Sequence, residues 1–80
     1  MDALLLRQLW GLIEAAQTSI LLTLDDSELV NWLLQQLREV RSLNPEEADA
    51  ITLYTYSRLR LIRDLAESRR APTVLRKVLV

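Results

Sequence analysis

The chain has no cysteine, no histidine and no phenylalanine, and only one glycine and two prolines in 80 residues. Without cysteine there is no disulfide, no thiolate nucleophile and no cysteine zinc site. Without histidine the commonest metal ligand is gone, and so is the one side chain whose unperturbed pKa lies between pH 5 and 8. A Ser-His-Asp triad is excluded for the same reason. So little glycine rules out the phosphate-cradling loops of nucleotide-binding folds. It also argues against a hairpin-rich β fold, whose turns need Gly, Pro and Asn often. Aromatics are limited to Trp10, Trp32, Tyr54 and Tyr56.

What the chain does have is aliphatic side chains: 19 Leu, 4 Ile and 5 Val. Half of all residues are hydrophobic and 26% are charged, a globular rather than a disordered composition. One small domain is all this length supports. A domain of this size buries only about 60–65% of its unfolded surface, too little interior for every aliphatic. The surplus must lie outside, and large exposed apolar patches mark contacts. Charge is unevenly spread. Residues 1–50 carry nine acids and three bases, net −6; residues 51–80 carry seven bases and two acids, net +5. The acidic Met1-Asp2 start lacks the basic region of a secretory leader. The apolar stretch 3–24 is broken by Arg7, Gln8, Glu14 and Gln17, where a spanning helix needs about 20 mostly apolar residues. A cytoplasmic protein without a membrane span is the expectation.

Three helical segments are predicted. In the first, about 2–22, Leu5, Leu6, Leu9, Leu12, Ile13 and Ala16 recur at steps of three and four. Gly11 either weakens its middle or lets another helix approach closely. Thr18-Ser19 is a place for the helix to fray, and Ile20–Leu24 reads either as its continuation or as an extended cover for the core. The second segment, about 26–41, has the sharpest start. Asp25 with Glu28 makes a capping box, and Leu24 with Leu29 a hydrophobic staple. Its core face is Leu29, Val30, Leu33, Leu34, Leu37 and Val40; Trp32 sits off that stripe as a lid or an exposed anchor. The third, about 45–70, opens with Asn44 as N-cap, Pro45 at N1 and Glu47 at N3. Ile51, Tyr54, Leu61, Ile62 and Leu65 make one stripe, with Leu53, Tyr56 and Leu59 round the side. Pro72 is expected to stop the helix, and the tail 72–80 is left open as helix, strand or disordered end. The fold expectation is therefore an all-α, three-helix antiparallel bundle of residues 1–71 with that tail.

Chemistry is sparse. The pairs Asp25-Asp26 and Glu46-Glu47 sit at helix starts, where acids serve capping and the helix dipole. No oxygen-ligand loop for Ca²⁺ or Mg²⁺ is present. The expectation is a protein that is not an enzyme and binds no cofactor or metal. The basic run Arg58, Arg60, Arg63, Arg69, Arg70, Arg76 and Lys77, with Tyr54 and Tyr56 upstream, resembles a phosphate-binding surface. It is not one stripe, however, and a pI near 5.3 is low for a dedicated nucleic-acid binder. Solvated or interface-pairing charges are the simpler reading, with Asp64 and Glu67 placed for i,i+4 pairing with Arg60 and Arg63.

The stretch YTYSRLRLIRDLAESR, residues 54–69, after NPEEADAI, resembles small uncharacterised helical proteins of cyanobacteria. The resemblance covers most of the chain, implies an all-helical fold and carries no activity or site residue with it. The functional expectation is a non-catalytic protein–protein interaction module, an adaptor, assembly factor or regulator acting as a homodimer. Its candidate interface is Leu5, Leu9 and Trp10 of the first segment and Trp32 of the second. From the third come Leu53, Tyr56, Arg58, Leu59, Arg60 and Arg63. The alternative is a nucleic-acid-binding regulator that uses the basic C-terminal half. A membrane-surface protein anchored by the first helix or the tail is a weaker rival, because the first helix is apolar nearly all round.

Overall fold

Both acidic helix starts are built as capping boxes. The Glu28 N–H donates to Asp25 Oδ1 at 2.8 Å, and the Asp25 N–H donates back to Glu28 Oε1 at 3.1 Å. The Glu47 N–H donates to Asn44 Oδ1 at 2.8 Å, and the Asn44 N–H to Glu47 Oε1 at 3.1 Å. Each box satisfies donors that a helix N-terminus leaves without partners. They open the two long helices of a computed structural model that describes the backbone of residues 3–79 and the side chains of residues 3–69. The elements are α1 (Ala3–Ala15), α2 (Thr18–Thr23), α3 (Asp26–Val40) and α4 (Pro45–Leu79), with no strand among the described residues.

The protein is all-α, but with four helices rather than three. The expected first segment, 2–22, divides at Ala16-Gln17, where Gln17 has an extended backbone (ψ 138°). Neither glycine nor proline causes this break. The donor that fills the carbonyls it frees lies 53 and 56 residues away along the chain. In an unbroken helix the carbonyls of Ile13 and Ala16 would accept from the N–H groups of Gln17 and Ile20. Here Arg69 takes both carbonyls, at 3.1 and 3.0 Å, and the Ile20 N–H turns to Gln17 O. The next corner follows the same rule. Leu21 O accepts from Arg63 at 2.7 Å, while the Asp25 N–H that would have filled it closes the capping box. Neither α1 nor α2 has a basic residue in its last turn; α4 supplies the cations that helix C-termini favour.

Pro72 does not end the last helix, which continues to Leu79. Proline's ring sets φ near −65°, itself a helical value, so it removes one backbone bond without forcing the chain off course. The boundary drawn at 71/72 is therefore not a helix end.

The core is filled by Leu5, Leu9 and Ile13 of α1, Leu21 of α2, Leu29, Val30, Leu33 and Leu37 of α3, and Ile51, Leu59, Ile62 and Ala66 of α4. α1 packs on α3, and both α2 and α3 pack on α4. Burying each large aliphatic contributes about 1.5–3 kcal/mol, and that packing, more than propensity, holds the helices. The buried stripe of α4 is Ala48, Ile51, Thr55, Leu59, Ile62 and Ala66, again at steps of three and four. It differs from the expected stripe at Leu61 and Leu65, which are exposed, while Tyr54 is half-buried against the core. Small Ala48 and Ala66 and polar Thr55 disguise it in the sequence. Thr55 tolerates full burial because its hydroxyl donates to Ile51 O at 2.7 Å. Val40, assigned by angle to the core of α3, is 53% exposed. It is the helix's last residue, and the chain turns away there toward Pro45. The molecule measures 50 × 24 × 20 Å, and α4, about 52 Å at 1.5 Å per residue, spans its length.

Candidate functional site

The apolar surplus surfaces mainly on α4. Leu53, Tyr56, Leu61 and Leu65 are 72%, 44%, 47% and 43% exposed, with Leu4 and Val40 at one end of the bundle. Leu61 and Leu65 lie one turn apart, beside Tyr54 and Arg58. Four of the six exposed large apolar side chains among the described residues are on α4; Leu61 and Leu65 share a face, while Leu53 and Tyr56 lie further round the helix.

The ten sequence-derived interface residues divide into three groups. Leu5, Leu9 and Leu59 are at most 7% exposed and belong to the core, so they offer nothing to a partner. The error has a physical source: apolar residues nearly all round α1, and two overlapping stripes on α4, leave the inward direction undetermined until α3 is in place. Trp10, Trp32 and Arg63 are half-buried and engaged within the chain. Trp10 donates its Nε1–H to the Tyr54 hydroxyl at 2.9 Å, with the rings edge-to-face at 89° and 6.5 Å. Arg63 donates to Leu21 O and forms an ion pair with Asp26 at 2.9 Å. Leu53, Tyr56, Arg58 and Arg60 remain on the surface, all on α4.

The basic run is thereby sorted. Arg63 and Arg69 are consumed by the corners they cap. Arg58 lies over the Tyr54 ring, its Cζ 5.1 Å from the centroid. Such a contact holds the guanidinium plane while leaving its edge open to an acceptor. Arg70, Arg76 and Lys77 fall outside the described side chains. The expected Arg60–Asp64 pair within α4 is not formed, and among the described residues neither side chain has another hydrogen bond or ion pair. Arg41 instead links three elements, reaching Glu47 at 3.5 Å and Gln8 at 3.4 Å.

No protein-family model matches the chain, and neither a curated protein nor a solved structure matches it. The resemblance to cyanobacterial proteins rests on its quoted residues alone.

Two further features complete the surface. A groove of about 340 Å³ runs along the α1–α2 corner, lined by Leu12, Ala15, Ala16, Gln17, Ile20, Trp32 and Gln36. Trp32, half-buried and packed against the core rather than a free anchor, forms one wall of it. Gly11 is exposed, and a Cβ there would meet nothing within 4 Å; no helix uses it for close approach. Among the described residues no group of three or more acids is arranged to hold a metal ion, and no helix is long and apolar enough to cross a membrane.

Proposed function

We propose that the protein is a non-catalytic protein–protein interaction module, a small cytoplasmic adaptor, assembly factor or regulator that works as a homodimer. The observation that carries this reading is the outer face of α4. Leu53, Tyr56, Leu61 and Leu65 stay exposed although the interior is already filled and no buried side-chain polar atom among the described residues lacks a partner. Leu61 and Leu65, one turn apart, form an exposed apolar pair of the kind a second helix covers. The composition supports the same reading, since neither histidine nor cysteine is available for catalysis. Light scattering on a size-exclusion column at micromolar concentration tests it. The expected mass is twice 9.3 kDa. A monomer at that concentration, unfolding cooperatively, overturns the homodimer.

Nucleic-acid binding draws less support. Arg63 and Arg69 belong to the helix corners, which removes two cations from the basic half. Phosphate contacts release counterions, so such binding would fall steeply with salt. Absence of binding to single- or double-stranded oligonucleotides at low salt rejects that alternative.

A further inference from the structure

We infer that the partner of the outer face of α4 is the same face of a second copy, paired antiparallel about a two-fold axis at Leu61. This rests on the homodimer reading above and deepens it by naming the surface and its register. The charges select the direction. Around α4, at about 100° per residue, Leu61 stands between two flanks, with Arg60 and Asp64 on one and Arg58 and Leu65 on the other. In a two-fold antiparallel pair each flank meets the same flank of its mate; in a parallel pair each meets the opposite flank. Antiparallel pairing brings Arg60 beside Asp64 of the second copy, about 3 Å apart along the axis, and repeats the contact by symmetry. Parallel pairing brings Arg60 beside Arg58 of the second copy and leaves Asp64 without a cation. Among the described residues Arg60 and Asp64 make no ion pair or hydrogen bond inside their own chain, and Arg58 has only its contact with the Tyr54 ring. An i,i+4 pair left open on an ordered helix is available for closure between chains.

The apolar layers fit the same register. Leu61 meets Leu61 at the axis, and exposed Leu65 lies beside the aliphatic stem of Arg58 of the second copy on the same flank. The axis lies one residue from the middle of Pro45–Leu79.

Two sets of variants test the register. The chain has no cysteine, so Leu61→Cys provides a single thiol. Oxidation is expected to link Leu61→Cys chains into a covalent dimer and to leave Leu65→Cys chains unlinked, because the two copies of position 65 lie about 12 Å apart along the axis. In the second set, Arg60→Asp and Asp64→Arg each weaken self-association about tenfold with helicity unchanged. Mixing the two restores a tight heterodimer, since every flank contact then joins opposite charges. Equal linking at 61 and 65 overturns the antiparallel arrangement. A wild-type dimer that neither links at 61 nor responds to the charge variants overturns this surface and leaves the homodimer standing. A wild-type monomer overturns both.

Discussion

Gly11 shows how a single residue's role depends on what surrounds it. A glycine inside a helix costs about 1 kcal/mol relative to alanine unless close packing needs it. Its Cβ position is open, so Gly11→Ala is expected to stabilise the fold by close to that amount. For a domain of this size that raises Tm by about 4–8 °C, measurable by thermal circular dichroism. Tyr54 is the opposite case. Its hydroxyl accepts the Trp10 indole proton, and its ring carries Arg58. Tyr54→Phe keeps the ring and removes only the acceptor, so urea unfolding should show a loss of about 1 kcal/mol. Trp10 emission should shift as its half-buried N–H turns to water.

At the scale of the elements, α1 and α2 depend on α4 for their ends. Arg69 holds the Ile13 and Ala16 carbonyls, and its fork geometry is what lets one side chain serve two acceptors. Arg69→Ala is expected to cost about 1–2 kcal/mol, because charge-assisted bonds are the stronger ones although water can reach this exposed end. Arg69→Lys keeps the charge and should recover only part of the loss. Hydrogen exchange locates the effect: amides of Ile20, Leu21 and Leu22 lose protection first, while those of α3, started by its own capping box, stay protected. Uniform loss across all helices would contradict this division. It also marks what could be read from the sequence. The starts of α3 and α4 were legible because capping boxes are local, four-residue patterns. The α1–α2 break was legible only as a place for the helix to fray near Thr18-Ser19, since the donor that fills its carbonyls lies more than fifty positions away.

The whole molecule has one long helix with two working faces. The inward one is covered by α2 and α3; the outward one presents Leu53, Leu61 and Leu65 to solvent. The proposed dimer, an apolar contact with few charges, is expected to tolerate salt. Dimer mass should therefore persist from low salt to about 0.5 M NaCl, where exposed ion pairs are screened, with only a modest rise in dissociation constant. Loss of the dimer on adding salt would point to a charge-driven assembly instead. Leu61→Glu should abolish association without changing helicity, because its side chain is not part of the core.

The sequence by itself determined that the chain is helical, where its two long helices begin, that its catalytic repertoire is empty of histidine and cysteine, and that it carries more aliphatic surface than a small interior can hold. Those are local or compositional properties, and local physics suffices for them. Only the tertiary structure decided which of the two apolar stripes of α4 turns inward, that Leu5, Leu9 and Leu59 are core, and that Arg63 and Arg69 close helix ends rather than face a ligand. Each of these depends on contacts between residues distant in sequence. An amphipathic pattern specifies that a face exists, while the choice of face is made by the element that packs against it.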